Sequence, residues 1–193
     1  MSIWIFEPGH SAAEFCARHM MVSWVRGHFK DVHGLLRFDL DDPAELAVEA
    51  TIQTSKLWSG EPQRDNHLRG ADFLDVANHP TITFKSTGSR CIGAADHVVT
   101  GDLTIRGVHR PVELEMHCLG KWSTSYWTDA GDTGPVTRVG FVGQARINRQ
   151  DFKVSWNGPL PGAGVVISDE ILLTVDVEAI LESDLNRALQ TKA

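Results

Sequence analysis

The chain comprises 193 residues, with 18 Lys and Arg against 25 Asp and Glu, a formal charge of −7. That balance argues against a nucleic-acid partner, which needs clustered cationic charge, and equally against adhesion to an anionic membrane surface. Hydrophobic residues make up 42% and the longest apolar run is Ile3-Trp4-Ile5-Phe6, so the composition is that of a globular domain with no segment able to span a bilayer. The start, Met1-Ser2-Ile3-Trp4, lacks a signal-peptide pattern, and a cytoplasmic location is expected. Cys16, Cys91 and Cys118 form no CxxC pair and supply no disulfide framework.

In chain order, alternation of apolar and polar residues predicts strands over 3–6, 13–19 and 34–40. Residues 20–25 read as a single helical turn. Asp41 and Asp42 beside Pro43 read as a solvated turn. Further strands are predicted over 46–52, 81–85, 99–105, 112–118, 139–147 and 171–178. A short helix is expected over 61–69, with Pro62 in its first turn, and another over 182–190. The stretch 122–135, holding Trp122, Tyr126, Trp127, Gly131 and Gly134, reads as a loop that gates access to an interior. Hairpin-like turns such as Arg106-Gly107-Val108-His109 favour an antiparallel meander, and closure into a barrel removes its edges. The expectation is all-β: an extended antiparallel β-barrel of about eight strands over 1–181, with one or two short helices and a C-terminal helix or tail over 182–193.

Read consistently, the alternation turns Phe15, Phe84, Leu103, Ile105, Leu114, Met116 and Phe141 inward. It turns Lys85, Asp102, Glu113 and Glu115 outward. His19 shares the parity of Phe15, where a neutral imidazole would meet a polar head group. Arg149 continues the parity of Phe141 and Ile147; its planar fork suits a head group, or a salt bridge to Asp65 or Asp151 that ties the barrel end. Trp24 is expected near a barrel end. No HExxH or Cys/His knuckle is present, so no metal is expected, and His10, His19 and His67 read as structural. No GxSxG elbow occurs, and Pro161-Gly162-Ala163-Gly164 lacks the lysine of a phosphate loop, so no residue argues for catalysis.

Eight short segments occur in a telling order: Glu7-Pro8-Gly9-His10-Ser11, Arg18-His19-Met20-Met21-Val22, Val25-Arg26-Gly27-His28-Phe29, Arg64-Asp65-Asn66-His67-Leu68, Asp72-Phe73-Leu74-Asp75, His79-Pro80 through Ser86-Thr87, Gly101-Asp102 through Gly107-Val108, and Asn148-Arg149-Gln150-Asp151-Phe152. Together they resemble the YceI-like family of lipocalin-like proteins, over roughly residues 3–180. The resemblance implies an extended barrel whose apolar channel holds a long isoprenoid or other lipid, with no established catalytic residues. Three departures stand out: Glu7 in place of Asp, Lys153 where Gly usually follows Asp151-Phe152, and Leu57-Trp58 in place of a small polar pair. The function so implied is non-enzymatic binding, transport, storage or sensing of a polyisoprenoid, isoprenoid quinone or fatty-acid derivative. The alternative is an enzyme acting on a lipid-like substrate in the same cavity. The expected ligand contacts are Phe15, His19, Trp24, Phe84, Leu103, Ile105, Leu114, Met116, Phe141 and Arg149. No cofactor beyond the bound lipid is expected, and a homodimer is allowed for.

Overall fold

In Leu46–Gln53 the side chains of Leu46 and Val48 are buried while Ala47 and Glu49 lie on the outer face, and this two-residue period repeats around the molecule. The structure, a computed structural model, describes residues 1–39, 45–129 and 131–190. The predicted turn at Asp41-Asp42-Pro43 and the last residue of the 34–40 strand lie outside the described residues. The elements are β1 (Ser2–Phe6), β2 (Ala12–His19), β3 (Ser23–Lys30), β4 (Val32–Phe38), β5 (Leu46–Gln53), β6 (Leu57–Trp58), α1 (Pro62–Arg69), β7 (Thr81–Cys91), β8 (Asp96–Ile105), β9 (Val108–Thr128), β10 (Gly131–Asn148), β11 (Pro159–Leu160), β12 (Gly164–Val165), β13 (Ile167–Leu181) and α2 (Glu182–Gln190).

Six of these strands are halves of three long ones. β1 pairs with β4 and β2 with β3, in registers offset by two residues: Ser2 faces Phe38, whereas Ala12 faces Lys30. β4 pairs with β5 and β3 with β6 in the same manner. The breaks fall at one level, at the 3-10 turn Pro8–His10, at Asp31 with φ 65°, and at the 3-10 turn Thr54–Lys56. Counted this way, eight antiparallel strands run up and down in chain order. β13 closes the ring by pairing with both halves of the first strand, Trp4 opposite Leu181 and Ala13 opposite Val175. The all-β barrel expected from the alternation is the observed fold.

Two local expectations are corrected. Residues 20–25 are not a helical turn: Met20 and Met21, at φ 50° and 62°, make a tight left-handed turn, and Trp24 and Val25 already lie in β3 opposite Arg18 and Ala17. Pairing with β2 prevails there over weak local helix propensity. The stretch 122–135 is not a loop either. Its Ser, Thr and aromatic residues extend β9 and β10 into a long hairpin, Trp122 opposite Arg138 and Ser125 opposite Pro135. Gly131 and Gly134, at φ 106° and 93°, serve its turn and an adjoining bulge.

The level of the strand breaks divides the interior. On one side Trp4, Leu36, Phe38, Leu46, Val99, Val139 and Phe141 fill the barrel solidly, with Phe38 edge-on to Phe141 at 5.2 Å and to His97 at 5.6 Å. On the other side the packing is built from Phe29, Leu57, Phe73, Ile82, Phe152 and their neighbours, and leaves space. α1 lies across this second end. Glu61 caps it, its carboxylate accepting from the Gln63 and Arg64 N–H groups at 3.0 and 2.5 Å. α2 starts where β13 ends and buries Ala188 against Val136 and Ile180, with Tyr126 and Leu185 at the margin.

Candidate functional site

The barrel interior holds two adjoining apolar chambers, of about 260 and 110 Å³, the larger in the hollow half and the smaller reaching across the level of the strand breaks to Phe6, Val32 and Val48. Phe15, Phe29, Ile82, Ile105 and Leu173 line both, so the two form one elongated interior. The Phe15 and Phe29 rings, 6.1 Å apart, stand at the junction. Taken together the volume is at the lower end of the roughly 300–1,000 Å³ of small-molecule pockets.

Alternation within each strand supplies the walls. Phe84, Leu103, Leu114 and Met116 line the inner chamber, and Phe15 and Ile105 face both chambers. Phe141 also points inward, but it lies in the solid half against Phe38 and borders neither chamber. The outward parity of Lys85, Asp102, Glu113 and Glu115 leaves all four exposed. Trp24 lies apart from the interior. It is 47% exposed on β3, with the Arg18 guanidinium 5.7 Å from its ring centroid.

Two segments far apart in sequence cover the outer chamber. From α1 and the turn after it come Leu68, Phe73 and Leu74; from the chain after Asn148 come Phe152, Val154 and Trp156. They meet through three rings: His67 is edge-on to Phe73 and to Trp156, at 4.9 Å in each case, and Phe73 and Trp156 are 5.4 Å apart. Asp72 fixes the His67 ring at 2.9 Å.

Arg149 holds the second segment in place. Its five N–H donors make five bonds: Nε to the Ser168 carbonyl, one terminal nitrogen to the Val154 and Trp156 carbonyls, the other to the Ile167 carbonyl and the Asp169 carboxylate, at 2.6 to 3.3 Å. Burial lowers its pKa from the ordinary arginine value, and the Asp169 charge works against that shift. Arg149 therefore lines the chamber as a strut with no donor left over. The carboxylates expected to pair with it are placed elsewhere. Asp65 is buried and accepts from the Ser59 N–H at 2.8 Å and from the Ser59 hydroxyl, while Asp151 is exposed. Asp169 takes their place because β13 returns alongside the end of β10.

The titratable side chains lining the outer chamber are all basic: Arg18, His19, Arg64, His67 and Arg149. His19, at the end of β2, is half-buried there as its parity suggested. Arg64 donates to the Ser59 hydroxyl and carbonyl at 2.7 and 2.6 Å. Sequence reasoning missed the covering residues Phe73 and Trp156 as site residues, because irregular segments carry no period from which an inward face can be read. Leu57 it noted only as a departure. Leu57 is buried in the chamber wall, and its neighbour Trp58 lies outside against His28, at 4.8 Å.

A separate cluster lies at the bend of the first strand. Glu7, His10 and Glu178 bring one ligand-type atom each within 4.8 Å of one another. The Arg138 guanidinium bonds both carboxylates, so this group is an ion-pair knot joining β10, β13 and the Pro8–His10 turn. It secures the solid half.

Residues 4–179 match the YceI-like domain family. The chain is 35% identical over 175 residues to Protein YceI of Escherichia coli O17:K52:H18, covering 90% of this chain and 83% of the relative. It is 33% identical over 175 residues, with the same coverage, to a UPF0312 protein of Azotobacter vinelandii. Among solved structures, the Campylobacter jejuni YCEI protein superposes with a TM-score of 0.68 at 29% identity, over 86% of this chain and 90% of that one. Burkholderia cenocepacia BcnA superposes at 0.71 with 22% identity, over 90% and 98%. A polyisoprenoid binding domain from Saccharophagus degradans superposes at 0.65 with 11% identity, over 94% and 99%. At such identities the last two share the fold alone.

Proposed function

The chain belongs to the YceI-like domain family, and from that premise we propose that it binds a long-chain apolar ligand inside the barrel without converting it chemically. The ligand class is a polyisoprenoid, isoprenoid quinone or fatty-acid derivative, and the role is carriage, storage or sensing. The observation that carries this reading is the elongated apolar interior of the barrel, walled by Phe15, Phe84, Ile105, Leu114 and Leu173 and covered at its mouth. An apolar chain lying past the Phe15 and Phe29 rings would bury about 0.8 kcal/mol per methylene before ordering costs. The polyisoprenoid binding named for the Saccharophagus degradans domain supports the same class. Binding rather than catalysis is supported by Arg149, whose donors are all engaged by the protein and so are not presented to a ligand.

Native mass spectrometry of freshly purified protein, followed by solvent extraction, tests the reading. The expected result is a stoichiometric apolar adduct. Phe84→Ser and Leu114→Asn place a neutral polar group in the inner chamber and should lose the adduct while the fold, followed by circular dichroism, is kept. Leu103→Asp should lose it more completely, at a larger cost in stability from the buried carboxylate. Folded variants that retain the adduct at full occupancy would place the ligand elsewhere and overturn the proposal.

A further inference from the structure

Two turns flank the outer chamber. Arg18, His19 and Val25 line it from β2 and β3, and Val166 and Ile167 line it where β12 gives way to β13. Between His19 and Val25 the chain reverses at Met20 and Met21, with the Val22 N–H donating to the His19 carbonyl at 3.1 Å. Just before Val166 stands the β11–β12 hairpin. The two turns adjoin. The Met20 N–H donates to the Val166 carbonyl at 2.8 Å, and the Met21 side chain lies 3.7 Å from where a Cβ on Gly164 would stand.

This rim shows apolar side chains to solvent against local backbone preference. A two-residue turn at φ 50° and 62° is one that Asn-Gly fills with least strain, yet methionines hold both places. Met20, Met21 and Val22 are 44%, 48% and 84% exposed, and Val165 of the neighbouring hairpin is exposed as well. Arg18 keeps the tip in shape, its Nε and one terminal nitrogen donating to the Met21 carbonyl at 3.2 and 2.9 Å. The same guanidinium lies over the exposed Trp24 ring. Charge is sorted too. Residues 15–30 and 152–168 contain none of the chain's 25 Asp and Glu, while they include Arg18, Arg26 and Lys153.

We propose that this rim docks on a phospholipid bilayer, with Met20, Met21, Val22 and Val165 entering the acyl region and Arg18, Trp24 and Arg26 lying among the phosphates. Contiguous exposed apolar side chains edged by polar ones mark membrane contacts, and tryptophan and arginine suit the headgroup layer. Two observations single out a bilayer as the occupant. The rim is continuous with an apolar chamber, so a docked molecule could pass an apolar ligand to and from the bilayer without a crossing through water; this consequence rests on the function proposed above. The carboxylate-free rim also complements lipid phosphates, whereas the net charge of −7 repels the rest of the surface from them and so orients the molecule rim-first.

Cosedimentation of the full chain with sucrose-loaded vesicles of phosphatidylcholine and a minority of phosphatidylglycerol tests the docking. The wild type should bind. Met21→Asn combined with Val22→Ser suits the left-handed turn and removes its apolar tip. It should weaken binding by on the order of tenfold or more, with the fold and the bound adduct kept. Arg26→Glu should weaken binding by roughly fivefold or more, through loss of a headgroup contact. Transfer of a pyrene-labelled fatty acid from protein to vesicles should quicken with vesicle concentration for the wild type and become independent of it for the tip variant. A wild type that ignores the vesicles overturns the proposal, as does a tip variant that binds them equally well. So does a tip that drives self-association in place of vesicle binding. Failure of the ligand-binding reading would show separately, as protein carrying neither adduct nor probe, because docking is read on the protein alone.

Discussion

The His67 imidazole and the Trp156 indole meet nearly at right angles with their centroids 4.9 Å apart, and through that contact two distant segments close one cavity. Phe73 touches both rings. The closure is therefore a small aromatic cluster, assembled from a helix that crosses the barrel end and from the chain that Arg149 ties down.

Trp156→Ala removes two of the three ring contacts and should speed release of a bound apolar probe. Each such pair contributes about 0.5–1.5 kcal/mol, so losing two should raise the rate roughly five- to a hundredfold. Stopped-flow displacement of a fluorescent fatty acid measures it. An unchanged rate would mean that ligand leaves by another route.

Arg149→Met keeps the bulk of the side chain and strips the donors from four backbone carbonyls. Unfolding should become easier by about 3 kcal/mol or more. For a chain of this size that is a fall in Tm of roughly 6–12 °C. Arg149→Lys should recover only part of the loss, since an ammonium offers three donors in place of five. Thermal denaturation followed by circular dichroism reads both.

Lys153 stands at φ 59°, in the left-handed region, at the end of the 3-10 turn Arg149–Phe152. The YceI-like resemblance points to glycine there, and glycine adopts this conformation without the steric cost of a Cβ. Lys153→Gly should stabilise the protein by about 0.5–1 kcal/mol in a guanidinium titration. The bond from the Arg106 guanidinium to the residue 153 carbonyl uses only the backbone of residue 153 and should persist. A destabilised variant would show that the lysine side chain contributes more than its backbone costs.

Two carboxylates make stability depend on acid. Burial pushes Glu178 up, but hydrogen bonds and charge from His10 and Arg138 outweigh it and hold the group below its ordinary value. Burial also pushes Asp184 up, against hydrogen bonds from Thr137 and the charge of Arg187, with the same net direction. Groups depressed in the folded state contribute stability at pH above their unfolded values, and that stability is lost as pH falls through the folded ones. Urea midpoints should therefore hold near neutrality and drop below the ordinary carboxylate range. Asp184→Asn should flatten the drop, and Arg138→Gln should weaken it by releasing Glu178.

Much of this architecture can be read from residue order. Alternation in Val112 to Cys118 or Leu46 to Ile52 reports one dry face, and the helices announce themselves, 61–69 by Pro62 in its first turn and 182–190 by composition. The wall positions Phe84, Leu103 and Leu114 follow from the same period. What escaped is non-local. Asp169 reaches Arg149 only because β13 folds back beside β10, and no spacing in the chain announces that approach. The 122–135 stretch has glycines and polar residues like a loop, and it becomes a hairpin because its two halves find each other.

The shared level of the three strand breaks gives the barrel an expansion joint. Above it the hollow half is hydrogen-bonded along β2, β3 and β6 in registers offset by two residues from those of β1, β4 and β5 below. Widening the wall around Phe15 and Phe29 therefore need not be transmitted to the packed rings of Phe38 and Phe141. One end can widen while the other keeps the molecule's shape.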